Sequence, residues 1–73
     1  MKRKNIIEVE AFGVHLRKIR EQRGLSQQQL ADDAEIARKT VERIENAKFT
    51  VTIDVLISIS KALGIPLSKL VDF

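Results

Sequence analysis

Positively charged side chains that donate hydrogen bonds to anions are concentrated in a short segment near the middle of the chain. Val41 and Ile44 recur there at helical spacing, and charged groups occupy the other face of the predicted helix: Arg38, Lys39, Glu42 and Arg43. Guanidinium and ammonium groups bind phosphates and other anions through charge-assisted hydrogen bonds. The pattern indicates a surface for an anionic partner.

The residues that enzymes use for nucleophilic, acid-base or metal chemistry do not form a recognisable set. The absence of cysteine excludes disulfides, thiolate metal sites and a thiol nucleophile. His15 is the single histidine and is expected at the surface, while Asp32 and Asp33 are adjacent and so point in different directions on a helix. The sequence predicts a domain that is not an enzyme and uses neither cofactor nor metal.

The composition favours double-stranded DNA as the partner and the cytoplasm as the compartment. The net charge of +3 favours an anionic partner. The three aromatic residues, all Phe, do not supply the stacking series that holds single-stranded nucleic acid. The basic start MKRKN is followed by Glu8 and Glu10 rather than an apolar run, so we expect neither a signal peptide nor a membrane span.

The elements that must position the charged segment are predicted to be short helices. An amphipathic first helix runs from Phe12 and stops near Gly24. Ser26 caps a second helix and forms a capping box with Gln29, and a hydrophobic staple of Leu25 with Leu30 supports the same start. The third helix, which carries the charged face, is predicted from Ala37 to Asn46.

Two further helices are predicted after a loop at positions 48–51. Thr52 caps the fourth helix, Gly64 ends it, and Pro66 fits the first turn of a short fifth helix that reaches Leu70 or Val71. The fold class is therefore all-α, with a basic amino-terminal tail at residues 1–10 and one domain at residues 11–73.

The fourth helix carries two apolar stripes where a small domain needs one. The first is made of Ile53, Leu56, Ser60 and Leu63, and the second of Val55, Ile59 and Ala62. One explanation is a central helix buried on most sides. The other is that the second stripe and the fifth helix pack against a second copy of the chain.

Several separated motifs stand in the order and spacing of a known family: Gly24-Leu25-Ser26-Gln27, Leu30-Ala31, Val41, Ile44-Glu45 and Lys61-Ala62-Leu63-Gly64-Ile65. From about Phe12 to Leu70 the chain resembles the Cro and lambda-repressor type helix-turn-helix domains, also called the XRE family. The resemblance implies a five-helix lambda-repressor-like DNA-binding domain with its motif at about residues 26–45. In this class the third helix, called the recognition helix, lies in the major groove, and the second helix crosses the phosphate backbone.

The resemblance, together with the chemistry of the side chains, implies a set of DNA contacts. Arg38 and Lys39 donate to guanine edges or phosphates, and Glu42 accepts from the cytosine amino group. Contacts to the DNA phosphate backbone are expected from five residues: Gln27 and Gln28 at the start of the second helix, and Thr40, Arg43 and Lys48. Arg20 and Glu45 match an ion pair between helices and are expected to be structural.

Departures from the family pattern fall in or beside the motif. Glu35 stands at the usual turn glycine and Ala37 at the usual helix cap, and each change costs about 1 kcal/mol. Glu42 faces outward, where it would repel phosphates unless it pairs with Arg38. Ala47 replaces a common glycine and Val51 a common proline.

Two functions are consistent with the predicted fold and contacts. The first is a repressor-like transcriptional regulator that binds a palindromic operator as a homodimer through Val55, Ile59 and the fifth helix. The second is an antitoxin that binds a protein toxin, with or without DNA binding at its own promoter.

Overall fold

A computed structural model describes residues 5–48 and 51–73, and these residues form five α-helices and no β-strand. The helices are α1 (Ile6–Gln22), α2 (Gln27–Ala34), α3 (Arg38–Glu45), α4 (Ile53–Leu63) and α5 (Leu67–Leu70). The all-helical prediction is confirmed, and α2 and α3 form the predicted helix-turn-helix.

Helix α1 begins earlier than Phe12, where the sequence pattern placed its start. It starts at Ile6, after Asn5, and therefore includes residues that the sequence analysis assigned to the tail. No proline or glycine interrupts residues 6–12, and Glu8 in the first turn complements the positive end of the helix dipole. Residues 1–4 of the predicted tail lie outside the described residues.

The predicted helix ends are formed by local hydrogen bonds and by left-handed residues. The Ser26 hydroxyl accepts from the Gln29 backbone at 3.0 Å, and the Gln29 side chain accepts from the Ser26 backbone at 2.8 Å, which completes the capping box. Thr52 caps α4 through the Val55 amide at 3.2 Å. Gly64 ends α4 with φ 68°, a conformation that costs glycine little because it has no β-carbon.

The core lies between all five helices. It contains buried side chains from each: Phe12 and Leu16, then Leu30, Ala31 and Ala34, then Val41 and Ile44, then Ile59 and Leu63, and finally Leu70. Helix α3 packs against α1 and α2, while α4 packs against α2 and α5. The helix with the charged face is therefore held from two sides.

The structure corrects the prediction that Ile59 contacts a second copy. Ile59 is 0% exposed and lies in the core of the single chain, so it has no surface left for a partner. Val55 is half-buried and also packs against the core. The exposed apolar residues of α4 are Ile53 and Ile57, which lie one turn apart on a different side of the helix.

The carboxyl-terminal segment differs slightly from the sequence prediction. Pro66 precedes α5 as its N-cap residue, with ψ 151°, rather than lying in its first turn. Within the described part of the chain, no helix is long and apolar enough to cross a membrane.

Candidate nucleic-acid interface

Helix α3 is anchored through one face. Val41 and Ile44 lie in the core, and Glu45 is buried beside them. Gly13 of α1 faces the end of this helix so closely that a β-carbon at position 13 would lie 2.7 Å from the carbonyl oxygens of Ile44 and Glu45. The backbones of α1 and α3 therefore approach each other at a point where only glycine fits.

The opposite face of α3 is open to solvent. Arg38, Lys39 and Arg43 are exposed, whereas Thr40 and Glu42 are half-buried. Lys48 is exposed just beyond the helix. The structure thus brings the predicted contacts of α3 onto an accessible surface, while their contacts with DNA remain a prediction.

Arg38 and Glu42 form the expected ion pair along this face. Arg38 Nη1 donates to Glu42 Oε2 at 2.9 Å, with the residues one turn apart. Both side chains keep solvent contact, at 48% and 35% exposure. Exposed pairs of this kind contribute about 0–1 kcal/mol, so a stronger acceptor can displace Glu42 from Arg38.

The predicted ion pair between Arg20 and Glu45 is present and buried. Arg20 Nε donates to Glu45 Oε2 at 2.7 Å and Arg20 Nη2 donates to Oε1 at 2.9 Å, which is a bidentate arrangement. Arg20 Nη1 also donates to the carbonyl oxygen of Leu25 at 2.8 Å. One guanidinium thus joins α1, the start of the helix-turn-helix and the end of α3.

The interactions of this pair lower the pKa of Glu45 and raise the pKa of Arg20. Burial alone would raise the pKa of Glu45, but hydrogen bonds from Arg20, Gln27 and Arg17 favour the carboxylate and hold its pKa below the ordinary 4.5. The hydrogen bond to Glu45 raises the pKa of Arg20. The ion pair is therefore charged at neutral pH.

Gln27 and Gln28, which are predicted to contact the DNA phosphate backbone, have different surroundings. Gln27 is half-buried, and its Nε2 donates to Glu45 Oε1 at 3.1 Å. Gln28 is exposed and its Nε2 donates to Asp32 Oδ1 at 2.7 Å, one turn further along α2. Only Gln27 is connected to the recognition helix.

Sequence reasoning did not assign Arg17 and Asn46 to this site. Arg17 of α1 donates from Nε to Glu45 Oε1 at 3.3 Å and from Nη2 to Asn46 Oδ1 at 3.2 Å. The spacing of Arg17 and Arg20 is the sequence feature that could indicate a role for Arg17 here, because residues three apart on a helix share a face. Arg17 therefore reaches the same carboxylate that Arg20 binds.

Non-glycine residues with positive φ stand on both sides of α3. Glu35 has φ 58° and Ala47 has φ 56°, so both departures from glycine occur where the backbone is left-handed. Ala37 has the extended backbone of an N-cap residue but makes no side-chain cap hydrogen bond. The departures from the family pattern therefore lie at the end of α2 (Glu35), at the start of α3 (Ala37) and just after α3 (Ala47).

An apolar groove opens beside the end of α3. It has a volume of about 280 Å³ and is lined mainly by apolar side chains from both ends of the chain and from α3 and α4, including Phe12, Ile44, Leu56, Val71 and Phe73. Val71 and Phe73 are 42% and 53% exposed. The groove is a surface on which a protein could bury further apolar area.

Comparison with known sequences agrees with this geometry. A family described as helix-turn-helix matches residues 16–70. A Pyrococcus furiosus protein named for HTH-type transcriptional regulation is 38% identical over 64 residues, which make up 88% of this chain and 20% of that protein. The chain thus spans about a fifth of the length of that relative.

Solved structures share the fold. The restriction-modification controller protein C.AhdI from Aeromonas hydrophila is 30% identical, with a TM-score of 0.86 over 88% of this chain and 97% of that one. The clp gene regulator ClgR from C. glutamicum is 25% identical, with a TM-score of 0.78 over 86% of this chain and 82% of that one. Both similarities span most of this chain.

Proposed function

Because this chain belongs to the helix-turn-helix family of DNA-binding transcriptional regulators, we propose that it is a repressor-like regulator that binds a palindromic operator as a homodimer. The family consists of DNA-binding regulators and not of enzymes. The names of C.AhdI and ClgR, a controller and a gene regulator, support a regulatory role.

The observation that carries this proposal is the division of α3 into two faces. Its inward face is fixed by Val41, Ile44 and Glu45, while Arg38 and Lys39 extend from its exposed first turn. A helix held in this way can enter the major groove as a rigid body and present donors to guanine O6 and N7. Glu42 then accepts from the cytosine amino group after Arg38 leaves it.

Contacts to the DNA phosphate backbone surround the first turn of α3. Gln27 and Gln28 lie in the first turn of α2, where the helix dipole favours a phosphate. Thr40, Arg43 and Lys48 supply donors along and beyond α3. These contacts hold the recognition helix in register without reading the sequence.

Of the dimer surface predicted from sequence, Ile59 is excluded because it is buried, whereas the end of the fifth helix stays a candidate. Ile53, Ile57, Val71 and Phe73 are exposed in the carboxyl-terminal half of the chain, and they offer apolar area to a second copy. Two recognition helices in such a dimer face half-sites about 34 Å apart.

The proposal is tested by gel-shift titration with the DNA upstream of the chain's own gene. Specific binding should weaken by orders of magnitude between 50 and 200 mM salt, since several phosphates are neutralised. Arg38→Ala and Lys39→Ala should reduce the preference over random DNA without lowering the melting temperature. If the unmodified chain shows no preference over random DNA, it is not an operator-binding regulator.

The antitoxin role is the second candidate, and the Arg38–Glu42 ion pair favours it. In the free protein this pair engages the guanidinium that would read bases. Glu42 also places a negative charge among the cations of this face, which suits a protein partner with charges of both signs better than a phosphate backbone. Co-purification of the product of an adjacent gene in a defined complex would support this role. Under it, Glu42→Gln would weaken that complex, whereas on an operator the same change would alter the preferred base.

A further inference from the structure

Helix α1 lies outside the helix-turn-helix and carries Arg17, whose positive charge is not required to neutralise Glu45. Arg20 already matches the charge of Glu45 and bonds to both carboxylate oxygens, at 2.7 and 2.9 Å. Arg17 reaches the same group only through a longer contact of 3.3 Å, and its side chain is 46% exposed. The cluster of Arg17, Arg20 and Glu45 therefore bears a surplus positive charge, located on the exposed guanidinium.

Arg17 lies beside the residue expected to meet the DNA backbone. Arg17 Nε and Gln27 Nε2 both donate to Glu45 Oε1, at 3.3 and 3.1 Å. Two nitrogens that share one acceptor are close enough for a single phosphate group to reach both side chains. Arg17 is therefore placed at the amino-terminal end of α2, although it belongs to another helix.

Both side chains retain hydrogen-bond donors after their internal contacts are made. A guanidinium has five N–H groups, of which Arg17 directs one from Nε and one from Nη2 to protein acceptors. The Gln27 amide has two, of which one is directed to Glu45. Asn46 accepts from Arg17 through Oδ1, which leaves its amide nitrogen as a further donor. The remaining donors come from α1, the start of α2 and the end of α3.

We propose that Arg17 is a phosphate-contacting residue of the DNA interface, contributed by α1 from outside the helix-turn-helix. The inference rests on the proposed binding of duplex DNA. In that docking the second helix crosses the phosphate backbone, so the phosphate near Gln27 receives a second contact from Arg17. The anionic partner is the DNA backbone, and the contact carries no base preference.

The test compares Arg17→Ala with Lys18→Ala, which removes the same charge from the neighbouring exposed residue of α1. Affinities are measured on the upstream duplex and on a random duplex of equal length, at several salt concentrations. Arg17→Ala should weaken binding about tenfold on both duplexes, because one charge-assisted contact is lost. It should also reduce the slope of log K against log salt by about 0.9. Lys18→Ala should change affinity less than twofold.

Arg17→Lys separates the contact from a structural role. It keeps the charge, so it should retain the salt slope of the unmodified chain while losing part of the affinity. Equal effects of Arg17→Ala and Lys18→Ala would overturn the proposal, as would a loss of affinity at unchanged salt slope. If the unmodified chain itself binds no duplex, the proposed function fails with it, and that result differs from binding that Arg17→Ala leaves intact.

Discussion

At the scale of single residues, Glu45 connects the scaffold to the recognition surface. Its carboxylate is fully buried and receives hydrogen bonds from Arg20, Arg17 and Gln27. The family resemblance identified the pair with Arg20, but the roles of Gln27 and Arg17 depend on how three helices meet. Helical spacing puts Arg17 on the same face of α1 as Arg20, but only the packing of the helices shows that it reaches Glu45 together with Gln27.

Removing Arg20 should leave the buried carboxylate of Glu45 with only the longer ion-pair contact from Arg17, at 3.3 Å. Arg20→Ala is therefore expected to lower the free energy of unfolding by about 3–5 kcal/mol, measured by urea denaturation at pH 7. Arg23→Ala, at an exposed arginine in the same region, serves as the control and should change it by less than about 0.5 kcal/mol. Equal effects of the two substitutions would mean that the pair does not stabilise the fold.

The lowered pKa of Glu45 makes stability depend on acidity. The folded protein favours the carboxylate, so this stabilisation is complete above the unfolded pKa of 4.5 and is lost as the pH falls through the lower folded pKa. Unfolding free energies of the unmodified chain should therefore fall more steeply below pH 4.5 than those of Glu45→Gln. Parallel curves for the two proteins would show that Glu45 has the same pKa in both states.

At the scale of elements, the close approach of α1 and α3 explains why Gly13 lies within a helix. Glycine weakens a helix interior by about 0.5–1 kcal/mol relative to alanine. Here a β-carbon would meet two backbone carbonyl oxygens at 2.7 Å, and a backbone cannot move aside as a flexible side chain can. Gly13 therefore determines how deeply the end of α3 packs against α1.

Gly13→Ala should destabilise the domain despite the better helix propensity of alanine. The expected loss is about 1–3 kcal/mol in thermal or urea unfolding, because the two helices must separate to accept the methyl group. DNA affinity should fall as well, since the recognition helix is displaced. Val14→Ala, at the exposed neighbouring position, is the matched control and should leave both quantities nearly unchanged. A neutral or stabilising effect of Gly13→Ala would contradict the close approach.

The elements themselves were largely predictable from local signals. Ser26 with Gln29, Thr52 and Gly64 determine helix ends by short-range hydrogen bonds and backbone preference, and these predictions are confirmed. The start of α1 was missed because residues 6–11 do not show a clean apolar stripe. The inward face of α4 was misjudged because two stripes competed, and only packing against α2 and α5 decided that Ile59 lies inside.

At the scale of the whole molecule, the oligomeric state determines whether one or two recognition helices meet DNA. The proposed dimer surface contains Ile53 and Ile57, at 61% and 38% exposure. The double variant Ile53→Glu, Ile57→Lys retains helix-compatible residues and permits an ion pair one turn apart. It should be a folded monomer by sedimentation equilibrium, with unchanged helix content by circular dichroism and weaker operator binding.

A matched control is available on α1. Ile7 is also an exposed isoleucine, at 75% exposure, but it belongs to α1 and not to α4. Ile7→Lys should leave the sedimentation behaviour unchanged. Dissociation by Ile7→Lys, together with an intact dimer in the double variant, would assign the interface to α1 instead.

The two faces of α3 also bear on how such a domain diversifies. Its attachment uses Val41, Ile44 and Glu45, whereas the outward side chains make no contribution to the core. Substitutions at positions 38, 39, 42 and 43 can therefore accumulate without loss of foldability. Under the proposed function, gene duplicates that differ only at these positions would share one scaffold and bind different operators.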